Sequence, residues 1–141
     1  MKRRNFLTLT GASMLALSIP QIAAADGWVD YSKADPISAA LAEGKTVLVD
    51  YAAEWCSTCA AQERVINSLR KSNPEYDSNI VFVRVDWDRY GRKPVTRNRN
   101  IPRRSTLIVL KGNQELGRLV AGTSKSQIKQ LMDTALSAAT S

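Results

Sequence analysis

The sequence predicts an α/β domain with a mixed central β-sheet flanked by helices, and three observations carry that prediction. Two short apolar runs, Thr46-Val47-Leu48-Val49-Asp50-Tyr51 and Ile80-Val81-Phe82-Val83-Arg84-Val85, enclose a segment of helical spacing, which makes a βαβ unit with parallel strands. Two further runs, Ser105 to Lys111 and Glu115 to Val120, are separated by Gly112-Asn113-Gln114, a hairpin-like turn. A closing amphipathic stretch through Ile128, Leu131, Met132, Ala135 and Leu136 begins at the capping box Ser124-Lys125-Ser126-Gln127.

Taken in order, the chain begins with an address. Met1-Lys2-Arg3-Arg4 is basic, Phe6 to Ile19 is mostly apolar, and Ala23-Ala24-Ala25 supplies the small residues of a cleavage site, so residues 1–25 are read as an export signal. The apolar stretch is about 14 residues, short of the roughly 20 that span a bilayer as a helix. It therefore predicts no stable membrane insertion after cleavage. The adjacent arginines followed by Asn5-Phe6-Leu7 resemble the twin-arginine signal, with the general secretory route as the alternative. Either route leads to a bacterial periplasm or its equivalent. Residues 26–34 form an N-terminal lead segment, and 35–141 the domain proper.

Asp35-Pro36 opens a helix, with an Asp cap and a proline where its missing N–H costs nothing; Ile37 to Glu43 continues it and Gly44 ends it. The run from Thr46 to Tyr51 lacks alternation, as befits a central strand covered on both faces. From Ser57 to about Ser72, Ala61, Val65 and Leu69 recur every four residues and mark a buried helical stripe, which Asn73-Pro74 terminates.

Composition is that of an ordinary globular domain. Removal of residues 1–25 takes away three basic residues and no acidic one, so the formal charge falls from +7 to +4. The remaining excess is concentrated between Arg84 and Arg104, a block that either attracts an acidic partner or simply solvates the surface. Nucleic acid is not an expected partner, since no recognition motif accompanies the charge.

The two cysteines, Cys56 and Cys59, stand in Trp55-Cys56-Ser57-Thr58-Cys59 at a strand-to-helix junction. A bridge across so small a loop removes little unfolded-chain entropy, so it is a poor structural staple and an easily exchanged bond. The leading cysteine lies at a helix start, where orphan N–H groups and the positive dipole end favour its thiolate.

These residues resemble the thioredoxin family, and in particular its exported branch. Val47 to Cys59 is similar to the family's strand, buried aspartate, active-site tryptophan and redox pair in the family's order. Thr106-Leu107-Ile108-Val109-Leu110-Lys111-Gly112 resembles the strand and turn after the family's cis-proline. The similarity covers residues 35 to 137 and implies the thioredoxin fold, thiol-disulfide oxidoreductase activity on protein thiol and disulfide substrates, a membrane electron donor, a monomer, and no cofactor beyond a redox-active Cys56–Cys59 disulfide. Two positions depart from the pattern. Ser105 stands where the family carries proline, with Pro102 three residues earlier, and Ala52 replaces a tryptophan of thioredoxin itself.

On this reading Cys56 is the exposed nucleophile and Cys59, a turn inward, the resolving thiol. Asp50, at the end of an apolar strand, has a raised pKa suited to proton exchange with Cys59, and Arg84 is its basic neighbour. Trp55 either shields the thiolate and meets substrate or packs in the core. Ser57 and Thr58 tune the potential; Arg104, Ser105 and Thr106 form the loop that tunes the pair and contacts substrate. Two geometries are open before Ser105: a strained non-proline cis bond, or a trans bond with a reshaped groove. The chain contains no histidine, hence no imidazolium to favour the thiolate, which inclines the pair towards a reductase. An oxidase or isomerase using the same cysteines is the alternative. A third reading is a protein holding metal or an iron–sulfur cluster; two thiols are half a tetrahedral set, so it requires a second copy.

Overall fold

The computed structural model describes residues 27–141; the export signal expected at 1–25 lies outside the described residues. In chain order the elements are β1 (Trp28–Asp30), α1 (Pro36–Ala42), β2 (Thr46–Ala52), α2 (Ser57–Ser72), α3 (Glu75–Asn79), β3 (Ile80–Asp86), α4 (Trp87–Tyr90), α5 (Pro94–Arg97), β4 (Thr106–Lys111), β5 (Gln114–Val120) and α6 (Lys125–Thr140). The five strands form one sheet in the order β1-β3-β2-β4-β5. β1, β3 and β2 run parallel, and β4 and β5 are antiparallel additions.

β2 is the central strand, and every one of its residues is buried, as its unbroken apolar run requires. Strand alternation sorts its side chains between two cores. Val47, Val49 and Tyr51 face α1 together with Ile37, Val83, Val85, Val95 and Ile108. Leu48 belongs to the other core, with Phe82, Leu107, Val109, Ile66 of α2, Tyr76 of α3, and Ile128 and Met132 of α6. Asp50 shares the parity of Leu48, so it is turned to the face that α2 covers.

The foreseen caps are present. Asp35 accepts the backbone N–H of Ser38 at 3.1 Å and its hydroxyl at 2.6 Å, while Gly44, at φ +78°, takes the left-handed turn that stops α1. Ser124 accepts the N–H of Gln127 at the start of α6. Other expectations shift. The stripe of α2 is rotated: Cys59, Gln62, Ile66 and Leu69 are buried, whereas Ala61 and Val65 are half-buried. A polar glutamine on the buried face broke the apolar period that pointed to Ala61 and Val65.

The lead segment, described from Gly27 onward, does more than lead in. Trp28 is 1% exposed, stacks edge-on against Phe82 at 5.5 Å and donates its indole N–H to Asn67 at 3.1 Å. Three residues are too few to show a strand period, which is why β1 escaped the sequence pattern. α3, α4 and α5 escaped it for the same reason. Among the described residues no helix is long and apolar enough to cross a bilayer.

Because Trp28 closes one core from the sheet edge, Trp28→Ala should destabilise the domain by about 3–5 kcal/mol, and Lys33→Ala, at an exposed site, by less than about 0.5 kcal/mol. Urea denaturation followed by circular dichroism checks both; a Trp28→Ala cost below 1 kcal/mol would show that β1 is not integral.

Candidate functional site

The C-terminal ends of β2 and β3 and the start of β4 lie at the same end of the sheet, and the two cysteines sit there. Cys56 is the N-cap of α2, in extended conformation at φ −89° and ψ 111°, and its sulfur accepts the N–H of Cys59 at 3.2 Å. An N-cap position satisfies one of the orphan donors of a helix start, and here a sulfur does so instead of the usual oxygen. Both cysteines are free thiols in this structure.

Sequence reasoning expected Cys56 to be exposed, and that is corrected: it is 4% exposed and Cys59 3%. The cover comes from elements distant in sequence. Ser105 places its hydroxyl 3.2 Å from Cys56 Sγ and 3.1 Å from Cys59 Sγ. Arg104 lowers the pKa of Cys56 and holds its guanidinium 4.4 Å from the centre of the Trp55 ring. Trp55 itself is 60% exposed, and its indole N–H donates to both carboxylate oxygens of Asp88, at 2.9 and 3.1 Å. Core packing is thus excluded for Trp55, which lies on the surface beside the thiol, fixed between Arg104 and Asp88.

The pair is electrostatically split. Burial would raise the Cys56 pKa, but hydrogen bonds from the Cys59 thiol, the Ser105 hydroxyl, the Cys59 N–H and Arg104 outweigh it and bring the thiol down to about 7. Burial and the hydrogen bond with Cys56 push Cys59 up. With Cys59 protonated and Cys56 ionised, the Ser105 hydroxyl donates to the Cys56 sulfur.

Ser105 is fully buried and held from three sides. Its N–H donates to Tyr51 O at 2.7 Å, and its carbonyl accepts from Ala121 N at 2.8 Å and Gln62 Nε2 at 2.9 Å. The peptide bond before it is trans, which settles the two geometries left open, and its φ is +63°. A proline ring locks φ near about −65° and could not adopt this backbone. The substitution therefore comes with a reshaped loop. Thr106 is corrected as a substrate contact: it is fully buried as the first residue of β4, and its hydroxyl donates to Arg103 O at 2.8 Å, bracing the loop. Ser57 is exposed and Thr58 half-buried at the first positions of α2.

Asp50 is 0% exposed, and neither carboxylate oxygen accepts a hydrogen bond from a described residue. Burial raises its pKa to about 7, with Arg84 pulling it down and Glu63 and Cys56 pushing it up. Arg84 is its register partner on β3, but the guanidinium donates to Glu63 at 2.6 Å and acts on Asp50 through its field. A cavity of about 400 Å³ opens beside them, lined by Cys59, Ala53, Glu63, Arg84, Asp86 and Tyr90 among others. It gives solvent a route to the Cys59 side of the pair.

Three residues of the site were missed from sequence. Gln62 anchors the Ser105 loop to α2 and donates also to Gly122 O at 3.0 Å, and a polar residue on a buried helical face was the signal for it. Asp88 holds Trp55. Trp87 packs against Ala52, Ala53 and the two cysteines. Nothing in the local pattern ties residues 87 and 88 to the thiols; the sheet does.

The family model described as Thioredoxin matches residues 31–134. Thioredoxin-1 of Saccharomyces cerevisiae is 28% identical over 100 residues, covering 71% of this chain and 90% of the yeast protein. Thioredoxin H2-1 of Oryza sativa is 27% identical over 97 residues, covering 69% of this chain; the chain spans 65% of that relative's length. Among solved structures, Trxlp from Edwardsiella tarda EIB202 superimposes with a TM-score of 0.63 at 31% identity, covering 74% of this chain and 97% of the other. The sheet order matches the thioredoxin fold, and the redox couple of this family is a disulfide within the polypeptide, with no added cofactor. With a Cys-x-x-Cys pair at the start of α2 and a matching family model over most of its length, the chain belongs to the thioredoxin family and is a thiol-disulfide oxidoreductase.

Proposed function

We propose that this protein is an exported dithiol reductase of protein disulfides, working as a monomer in a bacterial periplasm or equivalent compartment and recharged by a membrane electron donor. The observation that carries the reading is the divided pair, with Cys56 brought down to about 7 and Cys59 pushed up. A thiol near neutrality is largely available as thiolate without being strongly stabilised, the regime of thioredoxin at about 7 and far from the strong oxidant at about 3.5. The signal-like residues 1–25 support export.

Exchange proceeds by two displacements at sulfur. Cys56 thiolate attacks one sulfur of the substrate disulfide, and the other leaves as a thiolate that takes a proton from solvent. Cys59 thiol then gives its proton to the Asp50 carboxylate. The Cys59 thiolate attacks Cys56 sulfur, forming the Cys56–Cys59 disulfide and releasing the second substrate sulfur as a thiolate that takes a proton from solvent. Two electrons pass from the pair to the substrate. Trp55 and Arg104 must part for substrate to reach Cys56, since together with Ser105 they cover it.

A second reading, oxidase or isomerase, is favoured by one feature. Ser105 and Arg104 stabilise the thiolate, which belongs to the reduced form, and so raise the potential. A metal-holding role would need further ligands: among the described residues no group of three or more His, Cys, Asp and Glu is placed to hold an ion.

Full-length protein produced in a bacterial host should be recovered from the periplasm shortened by residues 1–25, with a potential near about −270 mV. Retention in the cytoplasm defeats the export half of the reading, and a potential near about −120 mV the reductase half. Removing the Ser105 hydroxyl takes a donor from the Cys56 sulfur, so Ser105→Ala should move the iodoacetamide alkylation–pH profile of Cys56 upward by about 0.5–1 pH unit. Asp50, whose pKa rises on folding, binds its proton more tightly in the native state, so wild-type stability should fall as pH rises from about 4 to about 7. Asp50→Asn should remove that slope, be more stable at pH 8 by on the order of 2–4 kcal/mol, match wild type near pH 4, and resolve mixed disulfides more slowly.

A further inference from the structure

The segment joining β3 to β4 leaves the thiol site and returns to it. Trp87 packs against the cysteines and Asp88 holds Trp55, while at the far end Arg104 covers Cys56 and Ser105 bridges both sulfurs. Between these anchors the backbone is firmly built. Tyr90 stacks edge-on with Tyr31 at 4.9 Å, Thr96 donates to Tyr90 O at 2.7 Å, and the buried Val95 offers its carbonyl to Tyr51 Oη at 2.7 Å. This arm is a fixed part of the domain.

Its charge is unlike that of the rest. Residues 87–104 carry seven basic side chains and one acidic, whereas the other described residues carry ten basic and eleven acidic. All of the net positive charge of the described domain therefore lies in this arm, whose two ends stand at the thiols. Arg89, Arg92, Lys93 and Arg97 are exposed, and none forms an ion pair with a described residue. The arm brings basic side chains to both sides of the thiols: Arg89 lines the cavity that Cys59 also lines, and Arg104 stands over Trp55 beside Cys56.

We infer that the 87–104 arm is a docking rim for acidic protein segments, selecting partners whose reacting cysteines lie near clustered Asp and Glu. The inference rests on the thiol-exchange reading of Cys56 and specifies the partner. Attraction steers the partner to the end of the sheet where Cys56 waits, and a carboxylate meeting Arg104 would draw its guanidinium off Trp55, opening the cover. Nucleic acid would be drawn to the same charge, but the rim begins and ends at a thiol that only a thiol or disulfide partner can use.

Three peptides sharing one internal disulfide and flanked by four Glu, four Gln or four Lys residues test the inference, with dithiothreitol recycling the protein. The Glu peptide should exceed the Gln peptide in kcat/KM by about tenfold at low salt, and the ratio should shrink towards one as ionic strength rises. In the charge-reversal variant R92E/K93E/R97E the ratio should drop below one. Equal kcat/KM for Glu and Gln peptides in the wild type would overturn the inference, as would tight binding of single-stranded oligothymidylate with no discrimination among peptides. If no peptide is turned over, the exchange reading fails instead. Fluorescence anisotropy with the Cys56→Ser/Cys59→Ser protein then decides docking separately: preference for the Glu peptide upholds the rim, and no preference removes it.

Discussion

A sulfur anion withdrawn from water persists only where fixed donors replace the lost solvent, and the start of α2 is built around that requirement. Cys56 caps the helix with its sulfur, receiving the Cys59 N–H at 3.2 Å and the Ser105 hydroxyl at 3.2 Å, with Arg104 beside it. Burial opposes ionisation, and the donors prevail. Cys59 shares the burial but lies one turn inside the helix, so it keeps its proton. The chemical difference between two cysteines three residues apart is therefore a difference in donors, since both are almost fully buried.

The donors depend in turn on the sheet. Ser105 reaches the sulfurs because its N–H is pinned to the end of β2 and its carbonyl is shared by Ala121 and Gln62. That double anchoring also sustains a serine at φ +63°, a conformation costing of order 1–3 kcal/mol that persists only where its surroundings over-determine it. A proline could neither take this backbone nor supply a hydroxyl. Replacing proline by serine thus changes loop shape and thiol chemistry together.

Asp50 shows the same dependence from the opposite side. Strand alternation turns it to the face beneath α2, where no described residue hydrogen-bonds its carboxylate, and its protonated form gains accordingly. Such a group is a liability for stability, and in the proposed cycle it serves as a proton acceptor poised near neutrality. The cavity bounded by Cys59, Glu63 and Arg84 lies on this side of the pair, while Trp55 and Arg104 lie on the other.

Much of this was legible in the chain itself. The unbroken run of β2, the Asp35-Pro36 cap, the Ser124 cap and the hairpin around Gly112 are local signals with local causes, and each stands where its residues placed it, so the α/β class and the helix-start position of Cys56 followed from sequence. Short elements such as β1, α4 and α5 contain too few residues to express a period, and Gln62 disguised the true stripe of α2. What no local rule could supply was long-range: Ser105 meets sulfurs 46 and 49 positions away, and Asp88 meets Trp55 33 positions away. Spacing along the chain decided which thiol caps the helix. Only the closing of the sheet decided what covers that thiol and which hydroxyl hydrogen-bonds it, because hydrogen bonds act over a few ångströms and folding alone brings those partners within reach.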